Sequence, residues 1–320
     1  MPAKPEVARA FHFEILLRSG FVGLEVVSII DTLRITNRII GTTAFTWGIS
    51  GEAAGPIVGA GGYSLEAARF DALPKPDALI VPGNIQTKFL GKPAINRILR
   101  LRREGCQVIL LAEAAAELIG SQKTLRGPVT THWENKLLLQ ESYVDALVSD
   151  TIAEQFDGFV TAAGMGTTMD LMLHLISQHI PASILRTVSA VLLHDRLRPF
   201  STTQPAIQSA ALPHGDPIVQ RAIQLMEINL DADIALESLS AQLGISLRSL
   251  ERKFAKTFAM SPAAFFRELR LNKALQLVTA TDMALIDIAL GCGLRSTGNL
   301  SKAFKQRFHK TPTAWRKSNG

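Results

Sequence analysis

Two stretches in the last third of the chain carry side chains that can hydrogen-bond to the bases and phosphates of a nucleic acid. Arginine bonds bidentately to guanine and asparagine to adenine, whereas lysine suits phosphate oxygens. The base-edge candidates are Arg248, Ser249, Arg252, Arg295, Thr297 and Asn299, the phosphate candidates are Lys253, Lys256, Lys302 and Lys305, and Ser296 is a further predicted DNA contact. Two such groups in one chain predict a surface that binds double-stranded DNA.

Each group lies in a predicted helix that follows a shorter helix and a glycine turn. The shorter helices, residues 236–243 and 286–292, end at Gly244 and Gly293, which can adopt the left-handed conformation of a helix C-cap. The second helices open with serines that can cap their free N–H groups, Ser246 and Ser296. Two helices joined in this way predict a helix-turn-helix whose second helix enters the major groove. An inert helical bundle is the alternative.

The second pair resembles the signature of the AraC/XylS family of transcription regulators. The matching residues are Ile288, Ala289, Cys292, Gly293, Leu294, Ser296, Leu300, Phe304, Lys305, Phe308, His309, Thr311, Pro312, Trp315 and Arg316. The family usually has aromatic residues at 294 and 300, glycine at 309 and tyrosine at 315, so the chain departs from it there. The resemblance implies a sequence-specific DNA-binding regulator. Activation is the commoner mode in that family, which implies RNA polymerase as a partner.

Charge and cysteine content agree with this interpretation. Residues 214–320 contain 15 Lys and Arg against 9 Asp and Glu, whereas residues 1–213 contain 19 of each, so the whole net charge of +6 lies in the helix-turn-helix region. Cys106 and Cys292 stand in different predicted domains, which excludes a disulfide framework and suits a reducing cytoplasm. We expect a cytoplasmic protein without a signal peptide, membrane segment, metal or cofactor.

The front of the chain alternates short apolar strands with amphipathic helices. This pattern predicts an α/β domain, flavodoxin-like with a mostly parallel sheet, ahead of an all-α domain with two helix-turn-helix units. We expect a leader at 1–10, the α/β domain at 11–196, a linker at 197–215 rich in Pro, Ser, Thr and Gln, and the DNA-binding domain at 216–320. Such sheets bind ligands beyond the carboxyl ends of their strands.

Several stretches of this front domain resemble the class I glutamine-amidotransferase-like superfamily. They are ALIVPGN, VILLAEAAAELIG, TTHWEN and AAGMGTTMDLMLHLI. More narrowly, they resemble the amidase-type sensor domain of one branch of AraC-type regulators. Enzymes of the superfamily hold a nucleophilic cysteine at a strand-to-helix elbow, which falls here at Ala112. Because covalent acyl chemistry needs a nucleophile with an adjacent base, we expect no catalytic residue and no enzyme activity.

A nucleophile-free elbow leaves room for a small-molecule effector. The ligand-binding candidates are Gly83, Asn84, Ala112, Glu113, Ala114, His132 and Trp133. Glu113 either complements the dipole at the start of its helix or pairs with a cationic ligand, with Trp133 or Trp47 supplying an aromatic face. His132 is either a ligand contact or a structural residue. The resemblance implies a nitrogenous metabolite such as an amino acid, betaine or carnitine, and a homodimer formed through this domain. The remaining alternatives are an amidase or hydrolase with a tethered DNA-binding module, and an architectural DNA binder.

Overall fold

The computed structural model describes residues 9–122, 127–136, 139–140, 147–204, 216–232, 234–281 and 283–319. They form two compact units that divide after Gln204. Most of the predicted leader and residues 205–215 of the predicted linker lie outside the described residues. None of the helices in the described ranges combines the length and apolarity that crossing a lipid bilayer requires.

The first unit is built on a sheet in which eight strands can be followed through the described residues. The strands of the unit are β1 (Phe11–Leu16), β2 (Phe45–Gly51), β3 (Gly55–Val58), β4 (Ser64–Arg69), β5 (Ala78–Val81), β6 (Gln107–Leu111), β7 (Pro128–Val129), β8 (Leu147–Val148), β9 (Ala153–Phe156) and β10 (Phe159–Ala162). Their order is β3-β4-β2-β1-β5-β6-β10-β9, and β7 pairs separately with β8. Among the strands that the structure describes in this sheet, only the pairs β3–β4 and β9–β10 are antiparallel. The central order β2-β1-β5-β6-β10 is that of a flavodoxin-like fold, which confirms the predicted class.

Helices cover both faces of this sheet. They are α1 (Gly23–Ile40), α2 (Gly91–Arg103), α3 (Ala112–Ser121), α4 (Thr168–Ser177) and α5 (Ala182–Val191). Successive residues of β5 alternate between two cores: Ile80 packs with α1, α4 and α5, whereas Leu79 and Val81 pack with α2 and α3. This alternation follows from the two-residue period of a strand. Because both faces are covered, strands β5, β6 and β10 are mainly apolar, as in parallel sheets generally, whereas β1 carries the buried Glu14, which forms an ion pair with Arg97 of α2.

The start of the predicted linker belongs to the first unit. Asp170, in α4, accepts hydrogen bonds from the backbone N–H of Arg198 at 2.8 Å and from His194 Nε2 at 2.8 Å. The Phe200 ring lies against the His174 ring, with 4.1 Å between their centroids. Gln204 is buried beneath the loop after β7. Residues 198–204 therefore pack on the α/β unit, so the predicted boundary at 196 falls too early.

The second unit consists of helices. They are α6 (Pro217–Ile228), α7 (Leu236–Gln242), α8 (Leu247–Phe258), α9 (Pro262–Ala280), α10 (Leu285–Gly291), α11 (Thr297–Phe308) and α12 (Pro312–Asn319). The pairs α7–α8 and α10–α11 are joined by turns in which Gly244 and Gly293 have φ of +68° and +63°. The Oγ atoms of Ser246 and Ser296 each accept a hydrogen bond of 3.2 Å from the N–H three residues later. Both predicted helix-turn-helix pairs are present.

Two separate cores hold these pairs, and α9 contributes to both. Its first half places Phe265, Phe266 and Leu269 in the core of α6, α7 and α8. Its second half places Leu277 and Val278 in the core of α10, α11 and α12. A helix of 19 residues is roughly 28 Å long. The helix therefore separates the two pairs and packs against each of them.

Candidate functional site

The topology of the first unit indicates where in its sheet a ligand site would lie. β1 and β5 are neighbours, but the chain continues from β1 to β2 on one side and from β5 towards β6 on the other. At such a switch point a crevice opens beyond the carboxyl ends of the strands. The segments that follow β5, β6 and β10 meet there through Gly83, Ala112 and Gly164.

Ala112 occupies a sharp turn between strand and helix. β6 ends at Leu111, α3 begins at Ala112, and the φ of Ala112 is +43°, a value that L-residues rarely adopt. A Cβ atom on either Gly83 or Gly164 would lie 3.1 Å from the Ala112 Cβ. The methyl group is thus enclosed by two glycines and is only 2% exposed. A side chain at this turn could carry a nucleophile, but a methyl group has none.

Glu25, which the sequence-based prediction missed, lies beside this turn. Its carboxyl group is fully buried and accepts hydrogen bonds from the N–H of Gly83 at 2.7 Å and of Met165 at 2.8 Å. Burial raises the pKa of Glu25 to about 7, although these two N–H groups and His132 act in the opposite direction. The carboxyl group ties together the segments that follow β5 and β10.

Glu113 joins the same region to a neighbouring loop. Its Oε2 accepts a hydrogen bond from the N–H of Asn84 at 3.1 Å, and its Oε1 accepts one from Asn135 Nδ2 at 2.9 Å. A carboxylate oxygen can accept more than one hydrogen bond, so Glu113 keeps acceptor capacity while serving as a structural link. Both interpretations of Glu113 made from the sequence therefore stay open.

His132 and Trp133 are brought to the elbow by the residue before them. Thr131 Oγ1 donates a hydrogen bond of 2.7 Å to the carbonyl of Ala112. The rings of His132 and Trp133 pack together, with 5.2 Å between their centroids. Both side chains are half-buried, and the short turn that contains Trp133 is joined to Glu113 through the hydrogen bond from Asn135. The segment that carries the aromatic and imidazole groups is therefore attached to α3.

Other predicted ligand contacts offer little or no surface. Ala114 is fully buried in the core between α2, α3 and the sheet, which is a correction to its predicted role. Gly83, Asn84 and Ala112 are also buried and shape the crevice from beneath. Trp47 lies near the amino end of β2 and packs on the core of α1, so it does not line this edge of the sheet. Met165, which the sequence-based prediction missed, is exposed above Glu25.

In the second unit, α8 presents a basic outer face. Leu250 and Phe254 are buried in the core, whereas the predicted DNA contacts Arg248, Arg252 and Lys256 are exposed. Ser249 is half-buried at the first turn, where its N–H is capped by Ser246. The exposed side chains are spaced four residues apart, so they lie along one side of the helix.

Lys253 differs from the other basic residues of α8. Its ammonium group is half-buried and forms an ion pair with Asp216, the residue that caps the start of α6. The hydrogen bond from Lys253 lowers the pKa of Asp216. Lys253 therefore links α8 to α6, a role that its sequence position did not reveal.

The matching helix of the second pair is α11. Leu300 and Phe304 are buried, and the predicted DNA contacts on its outer side are exposed: Thr297, Asn299, Lys302 and Lys305. Ser296 Oγ accepts the N–H of Asn299, so this oxygen serves first as a helix cap. Arg295 is exposed in the turn before the helix, with φ of +61°. Each pair thus exposes a polar and basic second helix.

Comparison with known proteins supports this arrangement. Residues 239–318, which begin within α7 and contain the rest of both pairs, match the family model described as a helix-turn-helix domain. The HTH-type transcriptional regulator CdhR of Pseudomonas aeruginosa is 29% identical over 310 residues, which cover 94% of this chain and 90% of that protein. The chain therefore carries an AraC-type DNA-binding helix-turn-helix domain, and over most of its length it is similar to HTH-type transcriptional regulators.

Solved structures show the same fold in the α/β unit of this chain. An AraC family transcriptional regulator from Pseudomonas putida aligns with a TM-score of 0.50 and 19% identity, over 57% of this chain and 99% of that structure. A ThiJ/PfpI family protein from Pseudomonas syringae aligns with a TM-score of 0.50 and 15% identity, over 66% of this chain and 91% of that structure. At these identities the likeness concerns the fold alone.

The first unit holds a further buried polar residue, Gln204, that the sequence-based prediction did not identify. Gln204 Nε2 donates to the carbonyls of Thr131 at 2.8 Å and Thr151 at 2.9 Å, and Gln204 Oε1 accepts the N–H of Trp133. The partners of Gln204 lie far from it in the sequence, and no local sequence pattern predicts such contacts. Glu25 left one local signal, because it is a lone carboxylate among apolar neighbours in FVGLEVV.

Proposed function

We propose that this regulator reads two DNA elements with α8 and α11 and adjusts that binding to a small molecule held by the first unit. The observation that carries the proposal is the pair of exposed basic helices, each backed by its own core and both attached to α9. A duplex presents successive major grooves on one face about 34 Å apart. Two helices on a common spacer suit two such grooves.

Within this proposal the exposed side chains divide by chemistry. Arg248, Arg252, Arg295, Thr297 and Asn299 contact base edges, where each bidentate pair contributes about 1–3 kcal/mol of discrimination. Lys256, Lys302 and Lys305 contact phosphates and give affinity without sequence preference. Ser249, Ser296 and Lys253 take part less directly, since they are engaged in capping or in the Asp216 ion pair.

Substitution of Arg252 tests the DNA-reading part. The duplex to use is one selected by the full-length chain from a library of random duplexes. Arg252→Ala should weaken binding to this duplex by roughly 10- to 100-fold and binding to random DNA far less, because a base contact is lost. Arg267→Ala, which removes an exposed arginine from α9, is the matched control and should change neither. Equal losses on both duplexes would place Arg252 among the phosphate contacts.

The sensing part rests on the crevice beside Ala112. A methyl group at the elbow supports binding without covalent chemistry, so we propose a regulator and not an amidase or hydrolase. Glu113, His132 and Trp133 offer a carboxylate and aromatic faces to a cationic ligand group. A nitrogenous metabolite such as an amino acid, a betaine or carnitine fits this chemistry.

Thermal unfolding of the full-length chain with a panel of such compounds tests the sensing part. A ligand at about 100 times its dissociation constant should stabilise the first unit by roughly 2.7 kcal/mol. Glu113→Gln should abolish the shift for a cationic ligand, whereas Glu66→Gln, an exposed carboxylate on β4, should preserve it. A shift that survives Glu113→Gln would remove Glu113 from the binding site. Turnover of amide or aldehyde substrates would instead favour the enzyme alternative.

We also propose that the chain forms a homodimer through the first unit and activates transcription with RNA polymerase. Leu24 and Val27 support the first part, because they are 57% and 54% exposed and adjacent on the outer side of α1. Sedimentation of the full-length chain should give a dimer, and Val27→Glu should shift it towards the monomer. Transcription from a promoter carrying the selected duplex, with purified RNA polymerase, distinguishes activation from repression.

A further inference from the structure

The two helix-turn-helix pairs meet at the turn glycine of the second pair. A Cβ atom on Gly293 would lie 2.5 Å from the carbonyl oxygen of Leu230 and 2.9 Å from the guanidinium carbon of Arg270. Leu230 follows α6 and packs with the core of the first pair. The backbone of the second turn therefore lies directly against the first half of the unit.

Arg270 holds that contact in place from the middle of α9. Its Nε donates a hydrogen bond of 3.0 Å to the Leu230 carbonyl, and its Nη2 donates one of 2.6 Å to the Ala232 carbonyl. Its guanidinium group also lies over the Phe266 ring, 4.2 Å from the centroid. A planar guanidinium with two fixed acceptors and a ring beneath it has little freedom to move. The loop after α6 is thus fastened to α9 at the level of the second turn.

The two turn glycines differ in their surroundings. Gly244 and Gly293 have similar positive φ values of +68° and +63°, but a Cβ on Gly244 would meet nothing within 4 Å. Gly244 is needed only for its backbone conformation. Gly293 is needed for its conformation and also for the close approach to Leu230 and Arg270. The contact is therefore a feature of the junction and not of helix-turn-helix geometry in general.

We propose that Arg270, the Leu230 carbonyl and Gly293 form a brace that fixes the angle between α8 and α11. This inference rests on the proposed reading of two DNA elements. One base pair displaces a DNA element by roughly 3.4 Å and rotates it by about a tenth of a turn. A rigid angle therefore sets the number of base pairs allowed between the two elements. Arg270 is a positioning residue, since it acts on DNA only through the two pairs.

The spacing preference of the full-length chain tests the brace. The duplex is again the one selected from a random library, together with versions that gain or lose one base pair between the two elements. The wild-type chain should bind the altered versions at least about tenfold more weakly, comparable with the loss of one base-pair contact. Arg270→Ala should reduce this difference to less than about threefold, below the usual cost of a mismatched base pair.

Arg316→Ala is the matched control. Arg316 also donates to two backbone carbonyls, those of Val278 at 3.3 Å and Met283 at 2.9 Å, but all three residues belong to the second half. The Arg316→Ala variant should therefore be less stable than the wild-type chain and should keep the wild-type spacing preference. Arg270→Lys keeps the charge but replaces the planar fork by a single donor nitrogen, so it should also relax the spacing preference and serves if Arg270→Ala does not fold.

The two glycines give an independent comparison. Gly244→Ala and Gly293→Ala both place a side chain at positive φ, but only the second displaces Leu230 and Arg270. Only Gly293→Ala should relax the spacing preference. Retention of the wild-type preference by Arg270→Ala and Gly293→Ala would overturn the brace. A wild-type chain without any spacing preference would overturn the two-element reading, and the brace with it.

Discussion

The backbone N–H of Trp133 donates a hydrogen bond of 3.0 Å to Oε1 of Gln204. Gln204 is the last residue of the first unit that the structure describes, and Trp133 lies two residues after Thr131, whose Oγ1 donates to the Ala112 carbonyl. The segment that leaves the first unit is therefore fastened to the loop that we propose contacts the effector. A ligand that moves this loop would also move the start of the connection to the second unit.

Gln204→Ala should destabilise the first unit. Removal of the buried amide leaves the carbonyls of Thr131 and Thr151 and the N–H of Trp133 without this hydrogen-bond partner. Each buried group that loses its partner costs about 1–3 kcal/mol of stability. The thermal midpoint should fall by about 2–4 °C for each kcal/mol in a unit of this size. Gln178→Ala, at an exposed position after α4, should leave the midpoint unchanged. Equal behaviour of the two variants would contradict an anchoring role for Gln204.

Glu25 should make the stability of the first unit fall as the pH rises. Its pKa is raised from 4.5 to about 7, so between these values the folded state holds a proton that the unfolded state has released. Below pH 4.5 the Glu25 carboxyl group is protonated in both the folded and the unfolded state, and above about pH 7 it is ionised in both. The linked free energy of unfolding therefore decreases between pH 4.5 and about 7, by roughly 3 kcal/mol in total.

Urea titrations at several pH values measure this slope. Glu25→Gln should flatten it, even though the amide replaces one acceptor by a donor and lowers stability overall. Glu66→Gln should retain the wild-type slope, because Glu66 is exposed. Glu113 and His132 also act on the pKa of Glu25, so their variants should shift the midpoint of the slope without removing it. An unchanged slope in Glu25→Gln would assign the pH dependence to another group.

Gly164→Ala should be much more damaging than Gly166→Ala. Gly164 has φ of +75°, and a Cβ there would overlap the Glu25 carboxyl group and press on Ala112. Gly166, two residues later, has nothing within 4 Å of a Cβ. Strain at positive φ and overpacking each cost about 1–3 kcal/mol, so Gly164→Ala should lower the stability of the first unit by several kcal/mol. Similar thermal midpoints for the two variants would show that the crevice can rearrange.

Lys253 and Lys256 should differ in how they affect the salt dependence of DNA binding. The charge of Lys253 is balanced by Asp216, whereas Lys256 is exposed. Lys256→Ala should reduce the slope of log affinity against log salt by about 0.9, the value for one phosphate contact. Lys253→Ala should leave that slope nearly unchanged and should lower the thermal midpoint of the second unit. The reverse pattern would show that the ion pair opens on DNA.

The helix-turn-helix pairs could be predicted because their signals are local. The glycines at 244 and 293 and the capping serines at 246 and 296 act within a few residues of their own position. Strands β5 and β6 are also visible in the sequence, since a fully buried strand is a short apolar run between turns. Strands β3, β4 and β9 give no such signal, because they are short and partly exposed.

The crevice was predictable only in outline. Glu25 accepts from Gly83, 58 positions away, and from Met165, 140 positions away. Gln204 contacts Trp133 across 71 positions. Such contacts depend on how strands that are distant in sequence become neighbours in the sheet, and the periodicity of one segment does not contain that information. Ala114 was misplaced for the same reason, because the direction of its side chain depends on what packs over α3.

The apolar residues of α9 limit how such a chain can be divided. Phe265 and Phe266 complete one core, and Leu277 and Val278 complete the other. A polypeptide that ends before α9 would lack the Phe265 and Phe266 side chains of the first core. A polypeptide that ends after α9 would expose Leu277 and Val278, which pack in the second core. Neither pair can be inherited, expressed or deleted alone without leaving an aggregation-prone surface. The double unit is therefore the smallest module that evolution, or a protein engineer, can move intact.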